Sequence, residues 1–171
     1  MGLLDADLRI KSIIDVPLEK LSELGIDSLI IDVDNTVTEW KGRNVEARAK
    51  EWFLSIKEKG FKACLVSNNN SGERIASIAR QLGIPSIHRA GKPRRNAFIR
   101  ALKILKSKPE NTAVIGDQVF TDVFGGNRMG MFTVLVDPIS SREFIGTKLM
   151  RLLEKLVLRD KKRSRSSNER N

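Results

Sequence analysis

The sequence of 171 residues contains one cysteine, one histidine and no tyrosine, and each scarcity excludes a class of structure. Cys64 alone cannot form an internal disulfide, so the fold does not depend on an oxidising compartment. His88 is the only histidine, which leaves no cluster of His and Cys ligands for zinc. The sequence also lacks a run of about 18 apolar residues, which excludes a membrane-spanning helix within it.

The overall composition is that of a globular protein. Hydrophobic residues make up 40% and charged residues 30% of the chain, and this length typically forms one domain that can bury most of its apolar surface. The first residues lack the apolar core of a signal peptide. We therefore expect a single-domain cytoplasmic protein.

The positive charge is concentrated in two segments. The net charge is +10, and residues 89–108 hold eight Lys or Arg and no acidic residue. Residues 142–171 hold ten basic and four acidic residues. Such segments attract phosphates, nucleic acid or anionic lipid surfaces. A solvated helix face and a solubilising tail would give the same pattern, so charge alone leaves the partner open.

Apolar runs alternate with helical patterns along the chain. The pattern predicts strands at 29–31, 61–66, 85–88, 112–115 and 132–136, and helices at 18–24, 45–59, 72–82, 94–106, 119–129 and 143–158. This alternation is typical of βαβ units in a mostly parallel sheet. We predict one α/β domain of the Rossmann-like three-layer α/β/α class over residues 1–158, followed by a basic, Ser-rich and disordered tail at 159–171.

Polar side chains follow four of the predicted strands. They are Asp32, Asp34 and Thr36 after the first strand, Ser67 and Asn68 after the second, Lys92 after the third, and Asp117 and Asp122 after the fourth. Open parallel sheets place ligands at these strand ends. Each group taken singly could instead be a turn or a helix cap. Their occurrence in order after buried strands favours one shared site.

The motifs resemble those of the haloacid dehalogenase superfamily. The resemblance is carried by Asp32-Val33-Asp34-Asn35-Thr36, Ser67, Lys92 and Gly116-Asp117 with Asp122, and it covers residues 10–136. Trp40, Gly116-Asp117-Gln118 with Thr121-Asp122, and the lead-in over residues 13–26 are similar to the YqeG-like branch of subfamily IIIA. That branch in turn resembles phosphatidylglycerophosphate phosphatases.

The resemblance implies a role for each matching residue. Asp32 would be the nucleophile that forms an aspartyl-phosphate, and Asp34 the general acid and base. Lys92 would offset phosphoryl charge in the transition state. Ser67 would bind the phosphoryl oxygens, Thr36 would position phosphate or Asp34, and Asn68 would place a backbone N–H near the phosphate. Asp32, Asp117 and the backbone carbonyl of Asp34 would hold a metal ion, with Asp122 as a ligand or a support.

Charge repulsion gives an independent reason to expect a cation. Asp32, Asp34 and Asp117, if they converge, repel one another by about 4 kcal/mol per pair at 4 Å and moderate dielectric. A hard divalent cation relieves this repulsion, and an all-oxygen site beside phosphate suits Mg²⁺. We therefore expect Mg²⁺ as the cofactor.

The spacing of the motifs leaves no room for a cap domain. Thirty-two residues separate Asp34 from Ser67, and 24 separate Ser67 from Lys92, and core elements account for both intervals. The active site should therefore be open, which suits macromolecules or surface-displayed head groups better than small free metabolites. The predicted helix at 143–158 is basic and amphipathic, so it could lie on an anionic membrane or close the fold against the sheet.

Three functions are compatible with these observations. The first is a Mg²⁺-dependent phosphomonoesterase that acts on a membrane-displayed lipid head group, such as phosphatidylglycerophosphate, from a cytoplasmic or peripheral inner-membrane position. The second is a phosphatase for nucleic-acid ends or nucleotides, although aromatic residues make up 5% of the chain, which is little for base stacking. The third is a non-catalytic basic adaptor that binds RNA or ribosomes.

Overall fold

A computed structural model of the chain describes residues 2–140. Its centre is a six-stranded sheet in the order β1-β6-β5-β2-β3-β4, and all five pairings are parallel. The strands are β1 (Leu8–Ile10), β2 (Ser28–Ile31), β3 (Lys62–Val66), β4 (Ser86–Ile87), β5 (Thr112–Gly116) and β6 (Phe132–Val136). No helix in this part of the chain is long and apolar enough to cross a bilayer.

Five of the six strands match the prediction, and β1 is the one that the sequence pattern missed. It has only three residues, too few for alternation to be recognised. Leu8 pairs with Val134 of β6, and the Asp7 carboxylate accepts hydrogen bonds from the backbone N–H and the hydroxyl of Thr133. A short edge strand is thus anchored by a side chain as well as by its ladder.

Helices cover both faces of the sheet and confirm the three-layer prediction. They are α1 (Leu18–Glu23), α2 (Ala47–Glu58), α3 (Gly72–Leu82), α4 (Arg95–Leu105) and α5 (Phe124–Asn127). Neighbouring strand residues point to opposite faces, so Ile31 and Leu65 join a cluster with the buried residues of α1, α2 and α3. Ile30 and Cys64 join the opposite cluster with Phe98 and Ala101 of α4.

The span 119–129, for which the sequence predicts a short helix, is helical over residues 119–127, but its first half is not α-helical. Residues Val119–Val123 form a π-helical turn, and the α-helix begins only at Phe124. The backbone N–H groups of Asp122 and Val123 both donate to the Gln118 carbonyl, which widens the turn. The predicted helix at 143–158, the predicted domain boundary at 158 and the predicted tail lie outside the described residues.

Candidate active site

The carboxyl ends of β2, β3 and β5 place the sequence-predicted residues on one rim of the sheet. Asp32 directly follows β2, and its backbone N–H donates to Ile115 of β5 at 2.9 Å. Ser67 directly follows β3, and its N–H donates to Ile87 of β4 at 2.9 Å. These bonds extend the ladders past the strands, so each side chain leaves the sheet at a fixed position.

Lys92 joins two of the carboxylates. Its Nζ lies 2.6 Å from Oδ1 of Asp32 and 2.6 Å from Oδ1 of Asp122, and all three side chains are buried. Burial alone would lower the pKa of Lys92, but the carboxylates of Asp122 and Asp32 outweigh it, so this pKa is raised. Lys92 therefore stays charged, and it holds Asp32 in place through a charge-assisted hydrogen bond.

Asp32 and Asp117 retain carboxylate oxygens without a hydrogen-bond partner. Oδ2 of Asp32 and both oxygens of Asp117 are buried and accept no hydrogen bond from the described residues. Burial raises the pKa of Asp32 to about 7, with the Asp122 and Asp34 carboxylates adding to the rise and Lys92 opposing it. Burial, followed by the charges of Asp32 and Asp122, raises the pKa of Asp117 to about 8. The nearby positive charge is thus too small to offset the burial and mutual repulsion of these two carboxyls.

This arrangement fits a divalent cation. Oxygens of Asp32, Asp117 and Asp122 all lie within 4.8 Å of one another, and Asp32 and Asp117 offer oxygens that accept no hydrogen bond from residues 2–140. Both oxygens of Asp122 are already used, one by Lys92 and the other by the Gln118 N–H at 3.3 Å. The donor set is oxygen alone, as hard cations require.

Gly116 gives Asp122 its place. A Cβ atom at position 116 would lie 2.2 Å from Oδ2 and 2.4 Å from Cγ of Asp122. These distances are far below van der Waals contact, so only glycine lets the Asp122 carboxylate reach across the end of β5 to Lys92.

The segment that carries Lys92 is fixed to the loop after β3. The Asn68 side chain accepts the Lys92 N–H at 2.8 Å and donates to the Lys92 carbonyl at 2.9 Å. Ala90 N–H donates to the Ser67 carbonyl and Arg89 N–H to the Asn69 carbonyl. The side chain of Asn68 thus acts on the backbone of Lys92.

Asp34 points to a different set of partners. The Arg74 guanidinium donates to both oxygens of Asp34, from Nη2 at 2.6 Å and from Nη1 at 3.2 Å. The Lys41 N–H and the Asn69 amide complete four donors to this carboxylate. Its side chain is therefore fully satisfied, and it is not one of the three carboxylates that cluster around Lys92.

Sequence reasoning missed Arg74, although a signal was present. Arg74 lies in α3 on one helical stripe with Ile78 and Leu82, four and eight residues further on, and all three are buried. An arginine on a buried apolar stripe needs a buried carboxylate. Its Nε also donates to the Gly42 carbonyl at 2.7 Å, which ties α3 to the loop after Asp34.

Thr36 and Ser67 are buried near the rim, and within residues 2–140 neither hydroxyl is hydrogen-bonded to Asp34. The Thr36 hydroxyl has no hydrogen-bond partner in the described part of the chain, and the residue lines a cavity of about 750 Å³ beside segment 11–15. The Ser67 hydroxyl accepts the Asn69 N–H at 3.1 Å and can still donate its own proton. Between residues 32 and 92 the chain adds only α2, β3, α3 and β4, with no inserted domain.

Relatives of this chain include named phosphatases. It is 43% identical over 154 residues to "Probable phosphatase YqeG" of Bacillus subtilis (strain 168), covering 90% of this chain and 89% of that protein. It is 29% identical over 143 residues to "Phosphatidylglycerophosphate phosphatase 1, chloroplastic" of Chlamydomonas reinhardtii, covering 78% of this chain. The match spans about half, 53%, of the algal protein.

A solved structure and a family match agree with these relatives. An uncharacterised protein from Listeria monocytogenes serotype 4b shares the fold with a TM-score of 0.55 at 20% identity, covering 68% of this chain and 84% of that one. Residues 45–130 match the family described as haloacid dehalogenase-like hydrolase. The chain belongs to the haloacid dehalogenase-like hydrolases, and it is a phosphatase of that family.

Proposed function

We propose that this phosphatase is Mg²⁺-dependent, that it works through an aspartyl-phosphate on Asp32, and that its substrate is phosphatidylglycerophosphate at a membrane surface. The observation that carries the catalytic part is the buried trio of Lys92, Asp32 and Asp122 beside oxygens of Asp32 and Asp117 that have no hydrogen-bond partner among residues 2–140. A purely structural ion-pair network would leave no carboxylate oxygen unsatisfied.

Asp32 is the nucleophile in this proposal. Lys92 engages one oxygen and orients the carboxylate, while Oδ2 has no hydrogen-bond partner in the part of the chain that the structure describes. A bond forms between an Asp32 oxygen and phosphorus as the bond from phosphorus to the ester oxygen breaks. Water then attacks the phosphorus, inorganic phosphate leaves and the carboxylate is regenerated. The Lys92 ammonium and the Ser67 hydroxyl stabilise the phosphoryl oxygens in both steps.

Asp34 is the general acid and base in this proposal. It gives a proton to the leaving ester oxygen and then takes one from the attacking water. Its carboxylate now accepts hydrogen bonds from Arg74, so when substrate binds it must give up those donors and take up a proton from solvent before it can protonate the leaving group. Thr36, which follows in the same loop, would help to position the phosphate or Asp34.

The metal site is assigned to Asp32 and Asp117, together with the backbone carbonyl of Asp34. Bound there, Mg²⁺ would offset the charge of the carboxylates and of the phosphoryl oxygens. Asp122 supports the site through Lys92, because both of its oxygens are already hydrogen-bonded.

The lipid substrate has two supports. One relative, at 29% identity, is named as a phosphatidylglycerophosphate phosphatase. No domain is inserted between residues 32 and 92 to enclose a small substrate, which favours a head group displayed on a surface. A peripheral position on the cytoplasmic membrane face follows, with the basic segment at 142–171 as a further contact.

The test is phosphate release from phosphatidylglycerophosphate in mixed micelles, with Mg²⁺ and with EDTA. A 3′-phosphorylated oligonucleotide and a small soluble phosphate ester are measured beside it. We expect Mg²⁺-dependent turnover that favours the lipid, and none from Asp32→Asn. Preferred turnover of the oligonucleotide would instead assign the enzyme to nucleic-acid processing.

A further inference from the structure

The exposed charged side chains of one continuous segment, residues 89–108, all carry positive charge. The basic face, as we define it, consists of the exposed cations between residues 89 and 106, which are Arg89, Arg94, Arg95, Arg100, Lys103 and Lys106. None of them forms an ion pair within residues 2–140, and no acidic residue lies between positions 89 and 108. On α2, by contrast, exposed cations such as Lys50 and Lys57 alternate with Glu51 and Glu58.

The basic face begins at the catalytic rim. Arg94 and Arg95 follow Lys92 by two and three residues, and the Arg94 N–H donates to the Gly91 carbonyl at 3.0 Å. The Arg89 N–H donates to Asn69, whose side chain contacts Asp34. From there α4 continues for 11 residues, which is about 16 Å of helix.

Two exposed isoleucines accompany these charges. Ile99 and Ile104 of α4 are 38% and 45% exposed, and Lys103 lies between them on the helix circumference. The opposite side of α4 packs Phe98 and Ala101 into the core. A surface of cations interspersed with apolar side chains is typical of helices that lie in a lipid interface. A face for single-stranded nucleic acid would instead present aromatic rings, and the described face of α4 exposes none.

We infer that the basic face docks on a membrane containing anionic phospholipid and brings the catalytic rim to its surface. As a device for catalysis this rests on the proposed lipid substrate, but the docking is measured without turnover. Anionic head groups attract the Lys and Arg side chains, and the isoleucines enter the interface. The attraction acts over about a Debye length, so added salt weakens it.

The experiment measures flotation of the full chain with vesicles of phosphatidylcholine, with and without phosphatidylglycerol, at low salt. Arg100→Glu with Lys103→Glu is the test variant, because neither side chain forms an ion pair or a side-chain hydrogen bond in the described structure. Lys50→Glu with Lys57→Glu, on α2 across the sheet, reverses the same number of charges and is the control. Glutamine versions of both pairs serve if the reversals impair folding.

We expect the wild type to bind only the vesicles that contain phosphatidylglycerol. The α4 variant should bind them with an affinity weaker by about tenfold or more, and the affinity of the α2 control should change by less than about twofold. Both variants should keep wild-type turnover of a small soluble phosphate ester. Equal losses in both variants would overturn the inference, as would failure of the wild type to bind or displacement of the vesicles by a stoichiometric oligonucleotide. Vesicle binding without hydrolysis of the lipid in micelles would refute the proposed substrate alone, whereas lipid hydrolysis with α4-independent binding would refute the docking face alone.

Discussion

Asp32 and Asp34 are two residues apart in the chain, yet their surroundings differ completely. Asp32 shares Lys92 with Asp122, one of its oxygens has no hydrogen-bond partner among the described residues, and its pKa is raised to about 7. Asp34 accepts four hydrogen bonds, two of them from Arg74. The environment, and not the residue type, thus leaves one carboxylate with an unused oxygen and saturates the other with hydrogen-bond donors.

The largest expected effects come from removing the two carboxylates separately. Asp32→Asn should reduce turnover to background while leaving the thermal midpoint unchanged or higher, because Lys92 keeps Asp122 and one repelling charge is lost. Asp34→Asn should slow hydrolysis of an alkyl phosphate by about 10²–10⁴-fold and also lower stability, since Arg74 loses its charged partner. Steady-state kinetics and thermal melts of both proteins check this. A strongly destabilised Asp32→Asn with a fully stable Asp34→Asn would reverse the comparison.

The next largest effect should come from breaking the buried ion pair between Arg74 and Asp34. Arg74→Ala should lower the free energy of unfolding by about 3–5 kcal/mol, because it leaves the Asp34 charge buried with only the Lys41 N–H and the Asn69 amide. Arg74→Lys restores the charge without the two-pronged geometry and should recover part of the loss. Urea unfolding measures both. A change below about 1 kcal/mol for alanine would mean that Asp34 does not depend on Arg74.

Metal binding should depend on the Asp117 carboxylate and not on the ion pair between Arg74 and Asp34. Saturating Mg²⁺, at about 100 times its dissociation constant, should stabilise the wild type by about 2.7 kcal/mol. Asp117→Asn should lose most of this stabilisation. Arg74→Lys should keep it, because Arg74 forms its ion pair with Asp34 and none with Asp32 or Asp117 in the described structure. Thermal melts with Mg²⁺ and with EDTA separate the two. An equal gain in Asp117→Asn would place the cation elsewhere.

Two neighbouring asparagines give the smallest and most closely matched test. Asn68→Ala removes two hydrogen bonds to the backbone of Lys92, so kcat should fall and stability should drop by about 1–2 kcal/mol. Asn69→Ala removes a 3.3 Å bond to Asp34 and a bond to the Ser71 N–H, and should cost about 1 kcal/mol of stability. Kinetics and urea unfolding of both variants are compared directly. A kinetic effect confined to Asn69→Ala would contradict the separate tasks of the two residues.

The sequence predicts the fold well where segments are long and buried. The strands β2, β3 and β5 are continuous apolar runs with polar residues at their ends, so both their existence and the rim they form follow from periodicity and parallel topology. The sequence shows no such periodicity at the three-residue β1 or at the π-helical turn over Val119–Val123, because tertiary contacts determine the conformation of both.

The sequence predicts which residues form the candidate site, but it does not predict that Asp32 and Asp34 have different partners. Motif order brings Asp32, Asp117 and Asp122 to one rim, and the structure places their oxygens together. The turn of Asp34 toward Arg74 depends on α3 packing against the loop at Gly42, 32 residues away in sequence. Position 116 must be glycine because a Cβ atom there would overlap the Asp122 side chain, and the spacing of the motifs does not show where that side chain lies.

The most direct test of the Asp32 mechanism uses Asp34→Asn with an aryl phosphate and Mg²⁺. An aryl leaving group needs little proton donation, so the first step should proceed while hydrolysis of the intermediate is slow. We predict that acid quenching followed by peptide mass spectrometry finds one phosphoryl group on the peptide that contains Asp32. A phosphoryl group on another residue, or sustained turnover by Asp32→Asn, would contradict Asp32 as the nucleophile.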